Sequence, residues 1–226
     1  MIAFTNDEHP GTIQGVLFDM DGTLSDTEAY WQEAEELIVT RYGTGDVTGK
    51  AEQQVGAPME TRAAFLQERC GVQLSIPEIQ RLSVEHVLSR IAAGFAWRPG
   101  ACELLAEAKR LDIPTALVTS SPRVIAQAVV EALPEGSFDV LVADEDVTCN
   151  KPDPEPYLAA AKRLDVDPLQ CIAIEDSLNG TLSAQQAGCL VIAVPTHIPI
   201  AEAERRIVLP TLTGISLQQL TPLGMT

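Results

Sequence analysis

Short apolar runs alternate with helical patterns along most of this chain. The run from Ile13 to Phe18 is rich in β-branched and aromatic residues, which predicts a buried strand that ends at Asp19. Four more strands are predicted at 113–121, 138–143, 170–177 and 189–194. Helical patterns lie between these strands at 101–111, 123–133, 155–164 and 179–187. Apolar strands separated by helices predict an α/β fold, with a Rossmann-like parallel sheet covered by helices on both faces.

The stretch between the first strand and the others shows helical spacing and no convincing strand. Helical patterns cover 27–40, 59–70 and 76–93. In the first of these patterns, one apolar face is predicted, and Glu35 is expected to lie off it. The residues of that face are Tyr30, Ala34, Leu37 and Ile38. We therefore expect a discontinuous α/β core, residues 1–26 and 95–226, with a helical cap domain inserted over residues 27–94.

Composition and charge restrict the partners of the protein. The 226 residues include 32 acidic and 15 basic side chains, and the formal net charge of −17 disfavours nucleic acids and anionic lipids. The sequence lacks an apolar stretch of the ~20 residues that span a bilayer, and the first residues lack the pattern of a signal peptide. Five scattered cysteines without a CxxC motif are typical of reduced thiols. We expect a cytoplasmic protein, a monomer or weak homodimer, that binds neither nucleic acid nor membrane.

Polar residues follow the predicted strands at their carboxyl ends, where parallel sheets bind ligands. They are four acids, three hydroxyl residues and one lysine: Asp19, Asp21, Glu175, Asp176, Thr119, Ser120, Ser121 and Lys151. Clustered carboxylates raise one another's pKa unless a cation offsets their charge, and Mg²⁺ prefers such oxygen ligands. The lysine and the hydroxyls suit a phosphoryl group. The pattern predicts a magnesium site next to a phosphate site.

Asp19 and Asp21 have the properties that phosphoryl transfer needs. A free aspartate has a pKa near ~3.9, so Asp19 is available as a carboxylate nucleophile at neutral pH. Asp21 could give a proton to the leaving oxygen and later take one from water. Other readings stay open for the neighbours. The hydroxyls at 119–121 could cap the helix that begins near Arg123, and Glu175 could be a structural acid. The acidic run 144–146 is expected to be a solvated loop.

Four segments resemble, in order, the four motifs of the haloacid dehalogenase superfamily. They are "DMDGTLSDTE", "LVTSS", "NKPDPEPY" and "IAIEDSLNG", and together they cover most of the sheet-forming part of the chain. Asn150 is a departure, since the family often has glycine or arginine before the lysine. The helical insertion after the first motif resembles the small cap of the subgroup that contains phosphoglycolate phosphatases and β-phosphoglucomutases.

The resemblance implies a role for each matching residue. Asp19 would be the nucleophile that becomes an aspartyl-phosphate, and Asp21 the general acid and base. Lys151 would bridge the nucleophile and the phosphate. The implied Mg²⁺ ligands are Asp19, Asp21 through its backbone carbonyl, Glu175 directly or through water, and Asp176. The implied phosphate-binding residues are Thr119, Ser120 and Lys151.

The same residues help to choose among the reactions of the superfamily. Asp21 disfavours dehalogenases, which lack this acid, and phosphonatases, which usually have a small residue there. β-Phosphoglucomutases are similar but have a histidine where this chain has Trp31. They also carry an arginine shortly after a glycine, and alignment on Gly56 places Met59 there, with Arg62 one helical turn later.

These differences favour simple hydrolysis. We expect a Mg²⁺-dependent phosphatase that acts on a small phosphomonoester. Its specificity is expected in cap loops such as residues 49–60. A sugar-phosphate mutase similar to β-phosphoglucomutase is the alternative. A binding protein that keeps the fold without catalysis is a third possibility.

Overall fold

A six-stranded parallel sheet forms the centre of the protein. The computed structural model describes residues 13–45, 59–196 and 198–220. Its strands are β1 (Gly15–Phe18), β2 (Thr115–Val118), β3 (Val140–Val142), β4 (Cys171–Glu175), β5 (Leu190–Ala193) and β6 (Arg206–Val208). Their order is β3-β2-β1-β4-β5-β6, and every neighbouring pair is parallel. The predicted α/β fold with a parallel sheet is confirmed.

Helices cover both faces of this sheet. They are α1 (Glu28–Tyr42), α2 (Met59–Cys70), α3 (Ile76–Ala92), α4 (Ala101–Arg110), α5 (Arg123–Glu131), α6 (Glu155–Leu164), α7 (Leu178–Gln186) and α8 (Leu217–Leu220). Successive side chains of a strand point to opposite faces. Val16 and Phe18 of β1 accordingly pack with α4 and α5, whereas Leu17 packs with α6 and α7.

The first three helices after β1, which are α1, α2 and α3, form a small layer with its own apolar cluster. Ile38 of α1, Leu66 of α2 and Ile79 of α3 belong to this cluster. Trp31 and Ile91 belong instead to the large cluster on one face of the sheet, and α3 contacts α5. The insertion is therefore held by a core of its own and also rests on the α/β layer.

The sheet has one strand more than the sequence predicts, because the last predicted strand is the one at 189–194. β6 pairs with β5, from Val191↔Arg206 to Ala193↔Val208. This strand has three residues and begins with an arginine, so its apolar pattern is too short to predict a strand. The sequence pattern does not predict the four-residue helix α8 either. Ile207 of β6 and Leu217 and Leu220 of α8 pack with the large apolar cluster, so tertiary contacts stabilise both elements.

The predicted apolar face of α1 is wrong at two positions. Leu37 is 56% exposed, whereas Glu35 is only 3% exposed. The reason lies in another helix, since Arg62 of α2 donates from Nε to Glu35 Oε1 at 2.7 Å. The apolar pattern alone would place the Glu35 carboxylate in solvent. It is buried instead, because it is paired with the buried guanidinium group of Arg62.

The acidic run 144–146 is not a solvated loop, contrary to the prediction. It forms a short 3₁₀ helix, Asp144–Asp146. The Glu145 carboxylate accepts a hydrogen bond from the backbone N–H of Arg123 at 2.8 Å. The Asp146 carboxylate accepts from the Arg163 side chain at 3.1 Å and also from that of Arg123. The run therefore joins the end of β3 to α5 and α6.

Two sequence-based interpretations fall outside the described residues. The alignment on Gly56 does so, and most of the loop at 49–60 does so as well, since residues 46–58 are not described. Among the helices that are described, none combines the length and the apolar character needed to cross a membrane.

Gly180 in α7 provides a test of the packing below the site. A Cβ atom at this position would lie 2.0 Å from the Glu175 carboxylate. Alanine favours a helix by at most about 1 kcal/mol over glycine, while overpacking a buried site costs about 1–3 kcal/mol. We expect Gly180→Ala to lower the free energy of unfolding in urea. Gln186→Ala, at an exposed position of the same helix, is the matched control and should change it by less than about 0.5 kcal/mol. A more stable Gly180→Ala variant would contradict this packing.

Candidate active site

The carboxyl ends of β1, β2 and β4 bring the predicted polar residues together. β1 lies between β2 and β4, and its last residue Phe18 is in register with Leu117 and Ile174. Asp19, directly after β1, therefore lies beside Glu175 of β4. Thr119 follows β2 on the opposite side of β1. The strand order reverses at β1, and ligands of such sheets bind in the crevice at this point.

Lys151 is the central contact of this site. Its Nζ donates to Asp19 Oδ1 at 2.6 Å, to Glu175 Oε1 at 2.7 Å and to the backbone oxygen of Val118 at 2.9 Å. These three bonds use all three donors of the ammonium group. Burial alone would lower the pKa of Lys151, but the two carboxylates outweigh it and raise the pKa above its ordinary value. Lys151 is therefore a fixed positive charge next to the Asp19 carboxylate.

The Asp21 carboxylate is held by three hydroxyl groups. Its Oδ2 accepts from Ser121 Oγ at 2.7 Å and from Thr119 Oγ1 at 3.2 Å, and its Oδ1 accepts from Thr27. The backbone N–H of Ser121 donates to Thr119 Oγ1 at 3.0 Å, and Ser120 lines the adjoining cavity. Together these contacts fix the direction in which the Asp21 carboxyl group faces.

The hydroxyls at 119–121 do not cap the next helix, so that alternative is wrong. Pro122 precedes α5 without a side-chain capping bond. The first N–H of the helix, that of Arg123, is bound by Glu145 instead. The sequence pattern places Ser121 at this end of the sheet but does not predict its bond to Asp21, and it does not assign Thr27 to the site. Ser121 and Thr119 are distant from Asp21 along the chain, so only the fold brings them to it.

Asp19, Glu175 and Asp176 form a compact group of carboxylates. One oxygen from each lies within 4.8 Å of the others, and the three residues are 7%, 0% and 6% exposed. Burial, followed by the charge of Glu175, raises the pKa of Asp19 well above its ordinary value. The same two causes raise the pKa of Asp176 to about 7. Without a further positive charge, Asp19 and Asp176 therefore hold protons more readily than ordinary aspartates do.

These residues fit Mg²⁺, because they offer only oxygen ligands and carry more negative charge than Lys151 neutralises. A hard divalent cation prefers such a donor set. A bound cation would also favour the ionised carboxylates. Asp19, Asp176 and Glu175 could therefore hold the ion or its water molecules, and the Asp21 backbone carbonyl is the further ligand that the motif implies.

Three other residues support the carboxylates. The Tyr157 hydroxyl donates to Glu175 Oε1 at 2.6 Å, and the Thr196 hydroxyl donates to Asp176. Gly22 has a φ of 87°, and a Cβ there would lie 2.2 Å from Asp176 Oδ2. Sequence reasoning misses Tyr157 and Thr196. The one available signal is a tyrosine in the alanine-rich face of α6, whose hydroxyl needs a partner when it is buried.

A cavity of about 80 Å³ lies between the sheet edge and the helical insertion. Its floor contains Asp19, Asp21, Lys151 and Asp176. Four residues of α1 and α2 line the opposite side, which we call the roof: Glu28, Trp31, Met59 and Arg62. Trp31 lines this cavity and also packs in the large apolar cluster.

Arg62 is the centre of the roof. Its Nε donates to Glu35 Oε1 at 2.7 Å, and its Nη1 and Nη2 each donate to Glu28 Oε1 at 3.0 Å. All three side chains are less than 10% exposed. Burial raises the pKa of Glu28 to about 7, although Arg62 acts in the opposite direction. The roof therefore carries an arginine that two glutamates already neutralise.

The fold and this acidic site define a class of hydrolases, and comparison with known proteins identifies the family. The family described as haloacid dehalogenase-like hydrolase matches residues 13–188. The chain belongs to this family.

Similar proteins narrow the class further. CbbY of Cereibacter sphaeroides is 34% identical over 208 residues, which are 85% of this chain and 90% of CbbY. Hexitol phosphatase B of Escherichia coli K12 is 31% identical over 216 residues, or 94% and 96% of the two chains. The structure of Rhodobacter sphaeroides CbbY with xylulose-(1,5)bisphosphate matches with a TM-score of 0.82 and 31% identity, covering 92% of this chain and 99% of CbbY. The chain belongs among the phosphatases of its family.

The raised pKa of Asp176 leads to a prediction about Mg²⁺ and pH. An ordinary aspartate has a pKa of about 3.9. Between this pH and about pH 7, Asp176 of the metal-free folded protein therefore keeps a proton that the unfolded chain has released. The stability of the metal-free protein should then fall as the pH rises towards about 7. Mg²⁺ competes with this proton, so we expect Mg²⁺ to raise the Tm more at pH 8 than at pH 6. Thermal unfolding with and without Mg²⁺ measures both increases.

Asp176→Asn is the control for this prediction, because its amide cannot titrate. The variant should show a smaller Mg²⁺-induced increase in Tm and a weaker dependence of that increase on pH. Equal increases at both pH values in the unmodified protein would contradict the expected competition.

Proposed function

We propose that this protein is a Mg²⁺-dependent phosphatase that hydrolyses a small phosphorylated sugar or polyol through an aspartyl-phosphate at Asp19. The observation that carries the proposal is the contact of Lys151 with Asp19 and Glu175 at the floor of the cavity. The named activity of a similar protein, hexitol phosphatase B, supports the substrate class. Phosphate release from a panel of sugar and polyol phosphates, with and without Mg²⁺, tests the proposal directly.

Asp19 would act as the nucleophile. Lys151 binds Asp19 Oδ1, and the carboxylate attacks the substrate phosphorus. A bond forms between Asp19 and phosphorus as the bond to the leaving oxygen breaks, and the leaving oxygen takes a proton from Asp21. In the second step Asp21 removes a proton from water, which attacks the same phosphorus. Phosphate leaves, and the free Asp19 carboxylate is restored.

The remaining polar residues would bind the phosphoryl group. Thr119, Ser120 and Lys151 line the cavity. The hydroxyls would bind the anionic oxygens, and Lys151, whose three donors already have partners, would attract them through its positive charge. Mg²⁺ held by the carboxylates and the Asp21 carbonyl would supply further positive charge for these oxygens. The hydroxyls around Asp21 orient its carboxyl group for the two proton transfers.

The helical insertion would act as a cap over this chemistry. Residues 27–94 are the proposed cap domain, and residues 1–26 and 95–226 the proposed core. Glu28, Trp31 and Arg62 cover the cavity from this side. Substrate must enter and leave such a cavity, and its closure excludes bulk water during the reaction. The cap therefore controls access and contacts the part of the substrate that is not transferred.

Asp19→Asn provides the sharpest test of the proposed mechanism. An amide is a poor nucleophile, so we expect kcat to fall by about three orders of magnitude or more. Steady-state phosphate release with Mg²⁺ measures the effect, and circular dichroism checks that the variant folds. Asp26→Asn makes the same chemical change at an exposed position of the same segment, so it should keep nearly the full activity. A folded Asp19→Asn variant with undiminished activity would rule out this nucleophile.

Incubation with β-glucose 1-phosphate and a trace of glucose 1,6-bisphosphate distinguishes hydrolysis from the mutase alternative. A phosphatase transfers the phosphoryl group to water, so glucose 6-phosphate should not accumulate. Coupled detection of glucose 6-phosphate and of free phosphate measures both products. Efficient formation of glucose 6-phosphate would show that the protein is a mutase.

A further inference from the structure

The roof of the cavity has an unusual charge balance for an enzyme that binds anions. Arg62 places a guanidinium group in the roof. It lines the same cavity whose floor binds phosphate in the proposed function. Such a group would ordinarily attract a second anionic group of the substrate. Here it is already bound by two carboxylates, those of Glu28 and Glu35.

The geometry leaves this arginine little capacity for a further anion. Both Nη atoms and Nε donate to carboxylate oxygens between 2.7 and 3.0 Å. Two carboxylates and one guanidinium leave the group with no net positive charge. A phosphate that entered the roof would lose its hydration and would meet Glu28. Burying an anion without an available cation is unfavourable.

A substrate hydroxyl would meet a better partner. A carboxylate accepts about four hydrogen bonds, and Arg62 uses mainly Oε1 of Glu28, since its contact with Oε2 is longer, at 3.4 Å. Oε2 of Glu28 thus retains acceptor capacity at the cavity. The Trp31 ring beside it is apolar and suits the C–H groups of a sugar or polyol.

We propose that the roof admits a neutral, hydroxyl-bearing leaving group and rejects a second phosphate. Glu28 determines this specificity by accepting hydrogen bonds from substrate hydroxyls. Arg62 is a positioning residue that fixes Glu28, and Glu35 holds Arg62 in place. The proposal rests on the proposed phosphatase function and narrows its substrate class to monophosphates. It also separates this chain from a similar protein whose structure holds a bisphosphate.

Paired substrates test the proposal in the full-length protein with Mg²⁺. The pairs are fructose 6-phosphate with fructose 1,6-bisphosphate, and glucose 6-phosphate with glucose 1,6-bisphosphate. p-Nitrophenyl phosphate, whose leaving group has neither a sugar hydroxyl nor a second phosphate, is the reference. We expect kcat/KM for each monophosphate to exceed that for its bisphosphate by about tenfold or more.

Glu28→Gln tests the role of Glu28 in specificity. It removes one negative charge from the roof and weakens the pairing that neutralises Arg62. We expect the ratio of monophosphate to bisphosphate kcat/KM to fall by about tenfold, mainly through a lower KM for the bisphosphate. Glu36→Gln is the matched control on the same helix, at an exposed position away from the cavity, and should leave the ratio unchanged. A merely structural role for Glu28 would lower all activities together without changing the ratio.

The outcomes separate this proposal from the proposed function. Turnover of p-nitrophenyl phosphate together with bisphosphates hydrolysed as well as monophosphates would overturn the roof proposal alone. Failure to hydrolyse any of these substrates would overturn both. A folded Glu28→Gln variant with an unchanged ratio would also refute the role of Glu28. If that variant does not fold, two other measurements decide the question. They are the ratio in the unmodified protein and the ratio in Glu35→Gln, a variant that loosens Arg62 from the other side.

Discussion

One ammonium group, the Nζ of Lys151, holds the edge of the sheet together. It binds Asp19 after β1, Glu175 at the end of β4 and the Val118 carbonyl in β2. These contacts join three neighbouring strands at the edge where their chemistry-bearing residues emerge. Two carboxylates buried this closely would repel each other, and each would favour its protonated form. Lys151 offsets part of that repulsion, and the excess of negative charge that remains is what makes the site suitable for Mg²⁺.

The roof of the cavity uses the same physical principle with a different result. Arg62 lies between Glu28 and Glu35 in a buried cluster on the helical insertion. On the floor, carboxylates outnumber the cation and leave room for a metal ion and a phosphoryl group. On the roof, the guanidinium group is already neutralised, so little attraction remains for another anion. In the proposed function, the floor would bind the charged phosphoryl group of a phosphomonoester, and the roof would face its neutral alcohol.

Much of the fold and site can be predicted from the sequence because the relevant signals are local. Apolar runs between helical patterns indicate the parallel sheet, and β1 needs only four buried residues to be recognised. The residues at the strand ends follow from the same pattern, since parallel strands place their carboxyl ends on one edge. This pattern alone therefore places Asp19, Asp21, Glu175 and Asp176 at a common site. The order of the motifs around them indicates the family.

The tertiary structure decided what depends on distant partners. Glu35 is buried in a pair with Arg62 from another helix, whereas Leu37 of the predicted apolar face is exposed. Ser121, Tyr157 and Thr196 reach the site carboxylates from separate elements, and β6 forms only beside β5. The sequence by itself determined which polar residues lie at the ends of the strands, because their identity and spacing along the strands are local properties. Their charge balance and the character of the roof are decided by contacts across the fold, which no local pattern contains.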